Sequence, residues 1–354
     1  MQKISGNGFI WNFGSERLLI DMIQILHAAD INPDAWLALC SRSSVSSFFQ
    51  TKACYDFYAE LNFLKPFLYG VSEDDKLTGL ACGYLIADGG VMKRFFSRRA
   101  IIPGGLLLAD DISKQALTSL LKVLRKDLST KAIYVEIRNY NDYTPFKDIL
   151  QQQGFDYLPH LNIQVPLTGV NNAFGQLSST KQRQVRQTEK SGVVCSLSHK
   201  QDDVMGFYQI LKRLYKQKVK KPLFPLEFFL KVVKQDFTRF FVVKKNELVI
   251  GGILCVNNDK ALYEWFICGN ENPGRNMYPS VLATWKAIEY AASNDYTYFD
   301  FMGAGKPGKR YGVRDFKTQF GGTILEQGRF LYLCKPKLYS FSKNMLHIIQ
   351  KIKR

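Results

Sequence analysis

At 354 residues the chain is about twice the length of an ordinary domain, so two hydrophobic cores are expected. With 46% hydrophobic and 22% charged residues and no low-complexity stretch, the composition excludes a disordered arm. Residues 1–167 carry 17 basic and 17 acidic side chains and residues 168–354 carry 31 and 14, so the net charge of +17 falls wholly in the second half, where its field favours nucleic acid, nucleotide or lipid phosphate.

In chain order, residues 1–21 read as a poorly ordered leader without the basic-then-apolar layout of a secretory signal. No run reaches the roughly 18 apolar residues of a membrane span, so a cytoplasmic location is expected. A strand begins near Met22. After the turn Glu73-Asp74-Asp75 a second hairpin strand is expected over 76–86, then a further strand, a loop over 98–105, and an amphipathic helix over 113–126 that aligns Leu117, Leu120, Leu121 and Leu124. A short apolar strand (132–137), a helix with a glycine stop (146–154) and a closing strand follow. The stretch 170–244 holds a basic segment, 179–192, and a helix near 204–218, both assigned to the front of a second unit.

The same order then returns about 165 to 171 residues later: a hairpin strand over 247–256 and a helix over 279–292 that aligns Val281, Leu282, Trp285 and Ile288. Next come a strand over 296–301, a helix with a glycine stop over 313–321, and a closing strand. Such an order requires an α/β fold in which a mixed, mostly antiparallel sheet carries helices on its faces. It resembles the GNAT fold of acyl-CoA N-acyltransferases, here in tandem. The expected units are 22–167, 168–335 and a basic amphipathic C-terminal helix, 336–354. Leu338, Phe341, Met345, Ile348, Ile349 and Ile352 form the apolar stripe of that helix, which either docks on its own domain or contacts the anionic inner membrane face.

Four strings coincide with one family's pattern: Ser46–Thr51, Arg99–Gly105, Lys181–Val193, and Asp315-Phe316-Lys317-Thr318-Gln319-Phe320-Gly321-Gly322. Together, over roughly residues 30–335, the chain resembles the FemABX family of double-GNAT peptidyltransferases. The resemblance implies transfer of an aminoacyl group from charged tRNA to an amine of a peptidoglycan precursor bearing a diphosphate. A basic second unit suits both polyanions. The chain lacks the long charged helical hairpin of the tRNA-using, lipid-precursor branch and is similar to the shorter, arm-free members.

The resemblance assigns chemistry first to Lys317, the lysine of the FK-x-x-FGG motif, where a cation can stabilise charge on the acyl oxygen. It assigns substrate phosphate to the segment holding Lys181, Arg183 and Arg186, whose guanidinium forks match phosphate oxygens at helical spacing. Arg99 and Gln50 are candidates for an acceptor cleft in the first unit. Arg275 and Tyr278 precede the helix at 279, where a CoA enzyme cradles pyrophosphate on backbone amides, but no glycine follows Arg275 within reach. The seven cysteines are odd in number and never in a CxxC pair, and the four histidines have no ligand spacing, so neither a disulfide framework nor a metal is expected. No tightly bound cofactor is implied. The leading expectation is therefore a Fem-type aminoacyltransferase. A CoA-dependent N-acyltransferase acting on an amino sugar of a cell-surface glycan, with acyl-CoA as donor, is the second. A non-catalytic nucleic-acid-binding protein is the third.

Overall fold

The computed structural model describes residues 22–89 and 97–341. The expected leader and the tail helix beyond residue 341 lie outside the described residues. Two sheets form two lobes. The first runs in the order β1 (Ile23–His27), β2 (Lys65–Glu73), β3 (Lys76–Ile86), β4 (Arg99–Gly104), β6 (Tyr134–Asn139), β15 (Arg329–Leu333), β7 (Asp156–Leu158), with β5 (Leu107–Leu108) paired to β3. The second runs β14 (Thr323–Glu326), β8 (Leu161–Pro166), β13 (Tyr298–Asp300), β12 (Ala261–Gly269), β11 (Leu248–Asn257), β10 (Thr238–Lys245), β9 (Val194–Leu197).

Helices α1 (Pro33–Arg42), α2 (Lys52–Ala59), α3 (Lys114–Leu128) and α4 (Lys147–Gln152) accompany the first sheet. Helices α5 (Val170–Gln176), α6 (Ser179–Lys190), α7 (Gln201–Leu214), α8 (Leu226–Val232), α9 (Pro279–Ser293) and α10 (Gly312–Lys317) accompany the second. The two amphipathic helices expected from the leucine and Val-Leu-Trp-Ile spacings are α3 and α9. Ser113 caps α3 by accepting from the Ala116 N–H at 3.0 Å, and Pro279 opens α9 where its missing N–H costs nothing. Each fully buries its apolar stripe against a sheet.

Two features depart from the linear reading. Strand β8 lies before residue 168 yet pairs with β13 and β14 in the second sheet, while β15, from the far end of the chain, pairs with β6 and β7 in the first. Each lobe thus takes its closing strand from the other half. A six-residue alternating segment encodes which face is buried and not which sheet it joins. The second departure is at 98–105, expected as a loop. Arg99–Gly104 is instead β4, parallel to β6, and the turn follows it at Gly104 (φ +81°) and Gly105 (φ +91°). At Gly105 a β-carbon would lie 2.1 Å from the Tyr143 hydroxyl, so only glycine fits there.

The lobes meet through aromatic side chains. Phe48 lies 4.7 Å from Phe237 with the rings tilted, Phe49 lies 5.4 Å from Trp265 and 5.8 Å from Tyr263, and Phe57 lies 5.6 Å from Phe228. These belong to one core that also takes in α7 and α8, whereas α5, α6 and α9 cover the opposite face of the second sheet. The second sheet therefore has a seam face, toward the first lobe, and an outer face.

Candidate active site

A pair of parallel strands in each lobe sets the geometry. In the first lobe β4 and β6 stay paired over their whole length, from Arg99↔Tyr134 to Gly104↔Asn139. In the second lobe β12 and β13 pair only over Ala261↔Tyr298, Leu262↔Phe299 and Tyr263↔Asp300, after which β12 runs on to Gly269 without its parallel partner. The second lobe alone has splayed strands, and the buried side chains of Asp300, Glu264 and Lys317 gather at the fork.

Asp300 closes the paired part. Its fully buried carboxylate accepts from Asn162 Nδ2 (2.9 and 3.0 Å), Gln164 Nε2 (2.9 Å) and the Met302 N–H (2.6 Å). Burial raises its pKa to about 6 against the opposing pull of those bonds. Both amide side chains come from β8, the exchanged strand, so the exchange completes this site.

Just past the fork, Glu264 meets Lys317, which reaches back from the end of α10 to place Nζ 3.0 Å from Glu264 Oε1. The ammonium also donates to the carbonyls of Phe301 (2.6 Å) and Gly303 (3.0 Å). Lys317 and Glu264 are only 7% and 5% exposed, so this is a desolvated ion pair that depends on close geometry. Burial pushes the Glu264 carboxyl up, and Lys317 opposes it. The FK-x-x-FGG string builds this arrangement locally: Phe316 and Phe320 anchor the short helix in the outer core and Gly321 (φ +90°) ends it.

The loop before α9 faces a cavity of about 560 Å³ bounded by Asn270–Gly274 and Asn276–Val281. Tyr278 lines it, but its N–H is already donated to Thr188 Oγ1 at 3.0 Å, and Pro279 has none. Two backbone amides that a pyrophosphate cradle would use are thus unavailable. Arg275 is exposed.

Arg183 and Arg186 are exposed on α6, which packs on the outer face. The Arg186 guanidinium stacks 5.2 Å from the Phe174 ring centroid. Lys181 is buried on the same helix, 4.4 Å from the Phe316 ring centroid and 3.2 Å from Gln184 Oε1, with burial lowering its pKa to about 8. This helix is on the side of the sheet away from the first lobe, apart from any acceptor cleft at the seam.

In the first lobe Gln50 is fully buried and all its hydrogen-bonding capacity is spent. Nε2 donates to Gly104 O (3.1 Å) and to the Tyr143 hydroxyl (3.0 Å), and Oε1 accepts from Ser47 N–H (2.7 Å) and Ser47 Oγ (3.1 Å). It is a plug that holds the Gly104 turn. Arg99 is held by a bidentate pair to Asp88 at 2.7 and 3.1 Å.

Beside Arg99, on the seam face, stands a cluster that sequence reasoning missed. Glu136 bridges Arg138 (2.8 Å) and Arg329 (2.7 Å), and Arg329 donates to His160 Nε2 at 3.0 Å. Burial alone would raise the Glu136 carboxyl, but the two guanidiniums outweigh it and hold it at about 2. Burial and Arg329 push His160 down to about 3, so the ring is neutral. Lys221, from the second lobe, faces the same group and is lowered by burial and by Arg329 and Arg138. The alternation in β6, with Tyr134, Glu136 and Arg138 opposite buried Val135 and Ile137, was the available signal. Among the described residues no group of three or more His, Cys, Asp or Glu is placed to hold a metal, and no helix is long and apolar enough to cross a membrane.

Two lobes of this topology, one with a splayed parallel pair, have the tandem GNAT-like fold. The FemAB family model matches residues 230–347, the part that holds Glu264, Asp300 and Lys317, and the resemblance to the FemABX family stands on that match. A crystal structure of FemX superposes with a TM-score of 0.68 at 15% identity, covering 90% of this chain and 99% of that one. L-PGS from Bacillus licheniformis gives 0.54 at 11% (88% and 96% covered), and a tandem GNAT protein from the clavulanic acid biosynthesis pathway gives 0.56 at 9% (88% and 99%). At these identities the structures share the fold. No curated protein matches the sequence.

Proposed function

We propose that the chain transfers an aminoacyl group from charged tRNA to a primary amine of a peptidoglycan precursor in the cytoplasm. The observation that carries this reading is the buried Glu264–Lys317 pair at the β12/β13 fork, in the lobe that the FemAB family model matches. The acyl carbonyl enters the fork from the outer face, where exposed Arg183, Arg186 and Arg275 supply positive charge for a polyanionic donor. The acceptor approaches from the seam, where Arg138, Arg329 and Lys221 outnumber Glu136 and suit its phosphates. Lys317 stabilises the oxyanion as the amine attacks, and no protein nucleophile takes part.

Acyl-CoA fits less well, because the Tyr278 N–H is committed to Thr188 and Pro279 has none to offer. The test is a mass-spectrometric donor screen with charged tRNAs and acyl-CoAs against peptidoglycan precursors. An added aminoacyl mass from tRNA alone is expected, with Lys317→Ala reducing the rate about 100- to 1,000-fold. Transfer from acyl-CoA but not tRNA would overturn the donor, and salt-sensitive RNA binding with no transfer would overturn the enzyme.

A further inference from the structure

An oxyanion role for Lys317 meets a difficulty, and Glu264 resolves it. An ammonium has three N–H donors, and three acceptors already take them: Phe301 O, Gly303 O and Glu264 Oε1. None is left for a substrate oxygen. Glu264, by contrast, has capacity to spare. Its Oε2 is buried with no hydrogen-bond partner, the only carboxylate oxygen in that condition among the described residues. A buried acceptor left unpaired costs on the order of 1–3 kcal/mol, more when charged, so its persistence calls for an explanation.

Its placement supplies one. Glu264 follows Tyr263, the last residue of β12 paired with β13, so its side chain leaves the sheet where the strands part. On the other side the register with β11 slips: Cys255 opposes Glu264 and Leu254 opposes Phe266, so Trp265 is the extra residue of a bulge. Bulges beside active sites re-aim side chains. Over the fork runs Met302–Gly305, with Met302 (φ +56°), Gly303 (φ +144°) and Gly305 (φ +81°) all in positive-φ conformations. The Lys317 ammonium ties this loop down through the Gly303 carbonyl. The groups facing Glu264 are Lys317 from α10, Asp300 from β13 and the Cys255 thiol from β11. Two carboxylates face one ammonium, and one carboxylate oxygen is free. An unpaired carboxylate oxygen in that setting is an acceptor suited to a primary ammonium.

We propose that Glu264 takes the proton of the attacking amine and that its protonation releases Lys317 to the oxyanion; this rests on the acyl-transfer reading above. The acceptor ammonium docks on Oε2 and gives it one proton. The freed lone pair forms the C–N bond to the ester carbonyl. Neutral Glu264 no longer holds the Lys317 ammonium through Oε1, and the N–H so released turns to the carbonyl oxygen as that oxygen gains charge. As the C–O bond to the donor breaks, the nitrogen's second proton passes to the leaving oxygen. Glu264 then returns its proton to water, so one proton is released per transfer.

The test compares two acceptors: the precursor amine, and an aminooxy analogue that is already neutral at pH 7. Glu264→Gln is expected to lose about 100-fold in kcat/KM with the amine and to stay near wild type with the aminooxy compound. Equal losses with both, or no loss, would overturn the proposal, since a merely structural role does not discriminate between acceptors. A second readout needs no donor: the Glu264 carboxyl titrated by infrared difference between wild type and Glu264→Gln, in methylammonium chloride and in sodium chloride. Methylammonium is expected to move the midpoint to lower pH, because a docked cation favours the carboxylate. An unmoved midpoint refutes the ammonium site. If wild type transfers to neither acceptor, the transfer reading falls, and the titration still decides the site.

Discussion

Glu136 shows how a single residue couples this fold to pH. Its folded pKa of about 2 lies below the ordinary 4.5, so the stability it contributes is present above about 4.5 and drains away as pH falls toward 2. At full extent that is about 3 kcal/mol. Asp300 has the opposite sign. Its folded pKa of about 6 lies above the ordinary 3.8, so its contribution is greatest in acid and falls as pH rises from about 4 to 6. Urea unfolding across pH 2–7 should therefore show an acid-side loss that Glu136→Gln abolishes, with the variant about 3 kcal/mol less stable at pH 7. An unchanged acid limb in the variant would show that the two guanidiniums do not hold Glu136 as described. Neither carboxylate stands out in the sequence, because the local partners, Arg138 for Glu136 and the Met302 N–H for Asp300, are only part of each set: Arg329 is 193 residues from Glu136, and Asn162 is 138 from Asp300. Lys317 was singled out because its motif is local. Its partner Glu264, 53 positions earlier on another element, was not.

Among the elements, hairpins, long helices and glycine stops were readable from spacing, since each is fixed by neighbours within a few residues. Strand β3 matches its expected span, and α3 and α9 differ from theirs by one or two residues at their ends. The exchange of β8 and β15 was not readable, because pairing partners are chosen by the assembled sheet. This exchange makes each half dependent on the other. A fragment of residues 22–160 lacks the strand that sits between β6 and β7, leaving the backbone edge of β6 and buried Ile137 uncovered. Such a fragment should aggregate or show no cooperative unfolding. Circular dichroism melts of the fragment, alone and with residues 329–333 appended through a flexible linker, check this. Native-like unfolding of the bare fragment would mean the exchanged strand is dispensable.

At the scale of the whole molecule, the aromatic seam and the exchanged strands imply that the lobes unfold as one. Phe228 is the clearest probe. It is fully buried on α8 in the second lobe and sits 5.6 Å from Phe57 of the first lobe, 4.9 Å from Trp265 and 4.7 Å from Phe224. Phe228→Ala removes those contacts and leaves a cavity, at a cost of about 3–5 kcal/mol. Two independent lobes would put that cost on the second lobe alone and split the melt into two steps. A shared core makes one transition move as a unit. Calorimetry should give a single endotherm for wild type and variant, with equal van't Hoff and calorimetric enthalpies and a lowered Tm in the variant. The consequence reaches the chemistry. If, as proposed, the donor enters on the outer face and the acceptor at the seam, a fixed relation between lobes sets the distance between carbonyl and amine. Near-attack geometry tolerates little displacement. Phe228→Ala should therefore also lower kcat, although the residue lies on the seam face of its sheet and takes no part in the Glu264–Lys317 pair. A variant with a lowered Tm and unchanged kcat would show that the seam stabilises the lobes without positioning the substrates.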